Sequence, residues 1–352
     1  MQQHRWMIVN VCLLAVIGVW SSSVRADIFV ASGGSTTNYA QPSVVYRFDN
    51  QGNTIGAFAG PDNHLASPRG MTFGPDGNFY VASSDTGEVL RYNGTTGAFM
   101  DVFVTAHSGS LLNAEAVVFG NDGYLYVADF GTSPTGQYDG QVLRYDASSG
   151  AFVGVFASMA DVRGSPYGML FGPNGNLFVA VIGRNTAAGD VPGVLQFDGT
   201  GQFINVFTQG GDLSFPRGVV FGPDGNMYVV DATNNSRVAK FDGTTGQYLG
   251  DFVPDDKGLM GSRMGAFGPD GLMYICSFSG ASFDYDYVQQ WDGQFLNLFI
   301  DGNNDNTIAG PPWLIFGPNA GGAVVPRQPA PIANGSPIQR TGTETVDLQL
   351  EK

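Results

Sequence analysis

The chain has 352 residues, with 31 acidic residues against 16 basic ones and a formal charge of −15. This balance argues against a nucleic-acid-binding protein, because such proteins use an excess of Lys and Arg to displace counterions from phosphates. A hydrophobic fraction of 43% excludes a disordered chain, and two cysteines exclude a disulfide scaffold or a cysteine-rich metal site. The 51 glycines follow no three-residue period, so they indicate many turns rather than collagen.

The N-terminal segment, residues 1–26, has the pattern of an export signal. Arg5 precedes an apolar run over residues 7–20, and Val24-Arg25-Ala26 is a cleavage site with small residues. The run is shorter than the about 20 residues of a membrane-spanning helix, although an uncleaved membrane anchor is the alternative interpretation. No later segment is apolar for long enough to span a bilayer. We therefore expect a secreted or periplasmic protein with no membrane span after removal of the signal.

A unit of roughly 50 residues repeats along the rest of the chain. A Phe-Gly pair marks each unit, and its phenylalanines are at positions 73, 119, 171, 221, 267 and 316. In the clearest unit, Pro216–Gly222 is one short strand, Pro223-Asp224-Gly225 is a turn, and Asn226–Asp231 is the next strand. Two further short strands follow in each unit. A period of this length, built from four short strands, predicts the blades of a β-propeller.

The two ends of the repeat region predict how the ring closes. Residues 27–32 match a second strand, 45–48 a third and 55–58 a fourth, while the missing first strand is found at 313–317. We therefore predict an all-β fold, a six-bladed β-propeller of four-stranded blades, closed by pairing N-terminal strands 2–4 with a C-terminal strand 1. Closure removes the free edges of an open array. The expected domains are a signal at 1–26, the propeller at 27–325 and a flexible tail at 326–352, and we expect a monomer.

One unit also resembles a known family. Tyr228-Val229-Val230-Asp231, followed by Asn234, Arg237-Val238 and Phe241, resembles the NHL repeat with one residue inserted before the arginine. The wider Phe-Gly-Pro-Asp-Gly-Asn pattern is similar to exported bacterial six-bladed propellers of the NHL type, over residues 27–316. The resemblance implies the propeller fold. It leaves activity open, because the superfamily includes gluconolactonase-like enzymes, streptogramin-lyase-like enzymes and non-catalytic binding modules.

Two positions of the repeat predict a binding site. The first strand of a blade lines the central channel, and the residue four before each repeat phenylalanine, here called the mouth position, is Arg69, Glu115, Tyr167, Arg217, Arg263 or Pro312. The residue ten after each repeat phenylalanine, the strand-end position, is Ser83, Asp129, Val181, Asp231 or Ser277, with Ser32 as the equivalent in the blade formed by the two ends. Three long loops, at 130–141, 182–193 and 278–287, are expected on the same face. We predict that a ligand binds at this mouth, with the following candidates: Arg69, Glu115, Asp129, Tyr167, Arg217, Asp231 and Arg263.

The carboxylates among these candidates raise the question of a metal. Glu115, Asp129 and Asp231 are candidate ligands for calcium or another divalent cation, and residues 301–306 form a second candidate. The structural alternatives are that Arg69 neutralises Glu115 and that Arg217 pairs with Asp231 across adjacent strands. No cofactor is required by any motif.

The predicted function is a non-catalytic module that binds an unidentified ligand or protein through the long-loop face. The alternative is a divalent-cation-dependent lactonase or lyase of the gluconolactonase-like type. The related lyases use histidines, and the only histidines after the signal, His64 and His107, are not at mouth positions. We therefore assign no catalytic residue.

Overall fold

The structure is a computed structural model that describes residues 26–33, 42–62, 64–131, 140–159, 164–183, 192–233, 235–277, 286–301 and 308–318. These residues form six antiparallel sheets of four strands each. The helical structure of the described residues is a single 3₁₀ turn at Ser108–Ser110. The predicted all-β fold with six four-stranded blades is confirmed.

Five blades consist of consecutive strands, numbered in chain order. Blade 1 contains β4 (Pro68–Phe73), β5 (Phe79–Ser83), β6 (Glu88–Tyr92) and β7 (Phe99–Val104). Blade 2 contains β8 (Ala114–Phe119), β9 (Tyr124–Asp129), β10 (Gln141–Asp146) and β11 (Phe152–Ser158). Blade 3 contains β12 (Gly164–Phe171), β13 (Leu177–Gly183), β14 (Gly193–Phe197) and β15 (Phe203–Val206). Blade 4 contains β16 (Pro216–Phe221), β17 (Met227–Asp231), β18 (Arg237–Phe241) and β19 (Tyr248–Val253). Blade 5 contains β20 (Gly265–Phe267), β21 (Met273–Ser277), β22 (Tyr287–Trp291) and β23 (Phe295–Asp301).

Blade 6 joins the two ends of the propeller. Its strands are β24 (Leu314–Phe316), β1 (Ile28–Ser32), β2 (Val44–Phe48) and β3 (Thr54–Ala59). β1 and β24 are antiparallel, with Val30 opposite Leu314, so the predicted closure is confirmed. The predicted tail and all of the predicted signal except Ala26 lie outside the described residues. Within the described ranges, no helix is long and apolar enough to cross a membrane.

A triad of aromatic rings connects each blade to the next. In blade 1, the ring of Tyr80 on β5 packs edge-on against Phe103 on β7 and against Phe119, the repeat phenylalanine of blade 2. The six triads have centroid distances of 4.7–5.5 Å from the central ring to its two partners. The repeat phenylalanine therefore has a structural role, because its ring packs in the contact between neighbouring blades. The central rings are Phe29, Tyr80, Tyr126, Phe178, Tyr228 and Tyr274.

The turn that follows the repeat phenylalanine is fastened to the same triad. In blade 1, Asp76 Oδ1 accepts a hydrogen bond from the Asn78 backbone N–H at 3.0 Å, and Asp76 Oδ2 accepts one from the Tyr80 hydroxyl at 2.9 Å. Gly77 has φ of +77°, a conformation that favours glycine. Burial raises the pKa of Tyr80 to about 12, so its hydroxyl remains a donor at neutral pH. Equivalent aspartate–tyrosine bonds occur at Asp122, Asp224 and Asp270.

Glycines next to the mouth positions allow the inner strands to approach each other. A Cβ added at Gly168 would lie 2.4 Å from the carbonyl oxygen of Arg217 in the next blade. A Cβ at Gly70 would lie 2.5 Å from Ala116 Cα. Neither distance is compatible with a side chain, so these glycines set the narrow spacing of the strands around the channel.

The aromatic triads give a first prediction on stability. Phe178 is 1% exposed and is the central ring of its triad. We expect Phe178→Ala to lower the free energy of unfolding by about 3–5 kcal/mol, because it leaves a cavity between blades 3 and 4. Phe203→Ala on β15 of the same blade is the matched control, since Phe203 is 49% exposed and its loss costs about 1 kcal/mol or less. Equal losses in chemical denaturation would contradict this role of the triads.

Candidate functional site

A β-bulge occurs at the mouth position of four blades. In β4, Pro68 pairs with Ser83 and the next paired residue is Met71, so the register shifts around Arg69. Similar shifts occur between Ala114 and Ala116 in β8, between Pro166 and Met169 in β12, and between Pro216 and Gly218 in β16. A bulge re-aims a side chain that regular pairing would hold on one face of the sheet. The backbone of the inner strands is therefore irregular where the candidate side chains begin.

These side chains meet in one cavity. Its volume is about 220 Å³, part of it open to solvent. Five of the seven predicted site residues line it, each from a different blade: Arg69, Glu115, Tyr167, Arg217 and Arg263. The mouth position of blade 6, Pro312, lines it as well, together with the adjacent Trp313. We refer to this cavity as the mouth cavity.

The mouth cavity is positively charged although the protein is acidic. Three guanidinium groups and one carboxylate give its lining a formal charge of +2, in a chain of net charge −15. Burial first, and then the nearby charges of Arg69 and Arg217, hold the pKa of Arg263 well below its usual range. Like charges that crowd together in this way repel one another and raise the free energy of the site.

Glu115 is the one carboxylate that the described residues contribute to the lining. Its side chain is buried, and its Oε2 lies 3.5 Å from Arg69 Nε. Its other oxygen, Oε1, accepts a hydrogen bond from the Ser84 hydroxyl at 3.2 Å. Arg69 therefore neutralises Glu115, as the structural alternative to a metal site predicted.

Arg217 lies against an aromatic wall. Its Cζ is 5.1 Å from the centroid of the Tyr167 ring, a cation–π contact, and Tyr167 packs edge-on against Phe130. The Nε atoms of Arg217 and Arg69 are buried and have no hydrogen-bond partner among the described residues. A buried N–H of a charged group without an acceptor costs free energy, so Arg217 retains unused capacity to donate, whereas Arg69 Nε faces Glu115 Oε2 at 3.5 Å in an ion pair.

Asp129 and Asp231 do not line the mouth cavity. Asp129 Oδ1 accepts hydrogen bonds from the backbone N–H groups of Leu112 and Asn113, at 3.2 and 2.9 Å. Asp231 Oδ1 accepts the corresponding bonds from Ser214 and Phe215, at 3.1 and 2.6 Å. Both carboxylates hold the loop that leads into the first strand of their own blade.

Serines hold the same loop in two other blades. Ser83 Oγ accepts the Ala66 N–H at 3.0 Å, and Ser32 Oγ accepts the Ala309 N–H at 2.8 Å. The side chain at the strand-end position therefore accepts hydrogen bonds from this loop, through a hydroxyl in some blades and through a carboxylate in others.

The partner of Asp231 differs from the pairing considered in the sequence. Among the residues that the structure describes, no ion pair joins Arg217 to Asp231; instead, Arg237 Nε lies 3.3 Å from Asp231 Oδ2, and Arg237 Nη1 lies 3.2 Å from Asp251 Oδ1. The NHL-like run contained the signal for this pair, because register places Arg237 directly opposite Asp231. Trp313 is the lining residue that the sequence analysis missed, although it directly follows the mouth position Pro312.

The three candidate metal ligands are not brought together. Among the residues that the structure describes, no group of three His, Cys, Asp or Glu side chains is placed to hold a metal ion. His64 stacks on Phe99 at 4.5 Å, and neither it nor His107 lines the mouth cavity. Most of the three long loops, residues 132–139, 184–191 and 278–285, lie outside the described residues, as do residues 302–306 of the second cation candidate.

Comparisons with known proteins agree with the fold. Residues 213–241 match the NHL repeat, the same stretch that carries the resemblance seen in the sequence. A chain in a nidogen/laminin complex superimposes with a TM-score of 0.60 and 13% identity, over 83% of this chain and 98% of that chain. A Bacteroides caccae protein of unknown function gives 0.58 and 12%, over the same shares of the two chains. A gluconolactonase from Xanthomonas campestris gives 0.50 and 16%, over 66% of this chain and 75% of that one.

The structure and the repeat together define a six-bladed β-propeller. The protein contains an NHL repeat in its fourth blade. No curated protein sequence matches it. The structural neighbours are so distant in sequence that they show the fold alone.

The strand-end carboxylates give a second prediction. We expect Asp231→Ala to lower the free energy of unfolding by about 1–3 kcal/mol in metal-free buffer, because two backbone N–H groups lose their acceptor. The matched control is Asp255→Ala, at an exposed position, with an expected change within about 0.5 kcal/mol. An unchanged stability of Asp231→Ala in urea denaturation would show that this carboxylate does not hold the loop.

Proposed function

We propose that the protein is an exported, non-catalytic ligand-binding module and that the mouth cavity is its binding site. The observation that carries the proposal is the convergence of Arg69, Glu115, Tyr167, Arg217 and Arg263 from five blades into one cavity. Polar side chains that meet in a concave site on a rigid scaffold are the usual form of a ligand site. Export rests on the signal pattern of residues 1–26.

The energetic cost of the mouth cavity supports a functional role. Three arginines in close proximity repel one another, and burial adds to the cost of keeping Arg263 charged. A propeller could fill its channel with neutral side chains and gain stability. Groups whose pKa is displaced by burial and neighbouring charges, and which lie in a cleft, are characteristic of functional sites.

The chemistry of the lining favours binding over catalysis. The described lining contains no histidine, cysteine or serine that could act as a nucleophile or a general base. Both oxygens of Glu115 are engaged, one by Arg69 and one by Ser84, so this carboxylate is poorly placed to accept a proton from a substrate.

The cation-dependent lactonase is disfavoured on electrostatic grounds. A divalent cation in the mouth cavity would face three guanidinium groups and one carboxylate that already has a partner. Cations are bound where oxygen ligands outnumber competing positive charges. The arrangement therefore repels the ion that such an enzyme would need.

A third prediction tests this point. We expect the melting temperature of the metal-free protein to stay unchanged when Ca²⁺, Mg²⁺ or Zn²⁺ is added at constant ionic strength. A cation that binds only the folded state raises stability by mass action, about 2.7 kcal/mol at 100 times its dissociation constant. A saturable rise that Glu115→Gln abolishes would place a cation in the mouth cavity and favour the lactonase.

A fourth prediction tests binding at the mouth cavity. A panel of carboxylates, phosphates, neutral sugars and amines is screened for a saturable rise in melting temperature of the wild-type protein. At least one class is expected to give a rise that Arg217→Met abolishes. Arg144→Met is the matched control, because Arg144 also has a buried Nε without a hydrogen bond and lies over an aromatic ring, that of Tyr124, at 4.6 Å, yet is outside the cavity.

The control variant should keep the full rise. If no class produces a rise, or if the rise survives Arg217→Met, the mouth cavity is not the binding site.

A further inference from the structure

The donors of the mouth cavity indicate the charge of what it binds. The Nε atoms of Arg69 and Arg217 are buried and lack hydrogen-bond partners in the part of the chain that the structure describes. A guanidinium group presents its N–H donors as a planar fork, which matches the two oxygens of a carboxylate. An anion placed between these groups would supply an acceptor for Arg217 Nε and relieve the repulsion among the three arginines.

Contacts within the protein restrict the side chain of Arg217. Its guanidinium lies over the Tyr167 ring, and Tyr167 packs in turn against Phe130. A guanidinium held against an aromatic ring loses less conformational freedom on binding than a free one. The bulge in β16 at the same residue directs the side chain away from the regular pattern of the sheet.

The remainder of the lining is apolar. Pro312 and the buried Trp313 of blade 6 contribute no charge, and Tyr167 presents the face of its ring to Arg217. The empty space of about 220 Å³ includes space that is open to solvent, so the cavity suits the charged end of a ligand whose apolar body lies against this wall.

We propose that the mouth cavity recognises an organic carboxylate, with the carboxylate group bound by the Arg217 guanidinium beside Arg69 and Arg263 and the apolar body against Pro312 and Trp313. This inference rests on the proposed function and specifies its ligand class. Contact with Pro312 and with the ring of Trp313 favours an organic body over a fully hydrated inorganic anion.

The test compares three probes by calorimetric titration at constant ionic strength: benzoate, its neutral isostere benzamide, and inorganic phosphate. Benzoate is expected to bind saturably, with a Kd of about 1 mM or tighter, a value reasonable for a ligand of this size. Benzamide and phosphate are expected to bind at least tenfold more weakly. The proteins compared are the wild type, Arg217→Met, Arg217→Lys and the control Arg144→Met.

The variants separate the charge of Arg217 from its shape. Arg217→Met is expected to weaken benzoate binding by about ten- to hundredfold, because a hydrogen-bonded charge pair is lost. Arg217→Lys keeps the charge without the planar fork and should fall between Met and the wild type. Arg144→Met should bind as the wild type does. Circular dichroism and melting of each variant without ligand show whether it is folded.

Each contrary result has a definite meaning. Equal binding of benzoate and benzamide, tighter binding of phosphate, or no saturable binding of benzoate overturns the carboxylate assignment. An equal loss in Arg217→Met and Arg144→Met also overturns it, because the effect would then not belong to the mouth cavity. If another class in the panel binds at the mouth cavity while benzoate does not, the proposed binding function stands and only the ligand class is wrong.

Discussion

The contact between neighbouring blades is the interaction on which the rest of this propeller depends. Each contact has at its centre an aromatic ring from the second strand, held edge-on between a ring of its own blade and the repeat phenylalanine of the next. Edge-to-face rings resist both sliding and rotation, because the attraction depends on their mutual angle. Six such contacts fix the radius of the ring, and a fixed radius is what allows side chains from five blades to meet at one point.

Because the aromatic contacts supply stability elsewhere, the channel can contain a site that is energetically unfavourable. The six aromatic triads lie between the sheets, so the charged side chains of the channel are not needed to hold the blades together. Inner strands spaced closely by glycines such as Gly168, and bulged at the mouth positions, carry charges that would be unfavourable in a core. The stability gained between the blades offsets the repulsion among Arg69, Arg217 and Arg263.

Much of this could be predicted from the sequence, because a repeat gives the same local information several times. The Phe-Gly pairs and their turns indicated the number of blades and the closing pair of β1 and β24. The mouth positions could be found because the repeat fixes where each residue falls on the first strand. The role of the strand-end aspartates was harder to predict. Their position in the repeat does not show that Asp129 and Asp231 accept hydrogen bonds from backbone N–H groups of the preceding loop. The choice of Arg237 rather than Arg217 as the partner of Asp231 follows only once the register between β17 and β18 is known.

Blade 6 both closes the ring and supplies one side of the mouth cavity. Pro312 and Trp313 immediately precede β24, the strand that closes the ring, and they form the apolar side of the mouth cavity. The charged side comes from the five blades before it in the chain. A folding intermediate in which β24 has not yet paired with β1 would therefore carry the arginines without the wall opposite them.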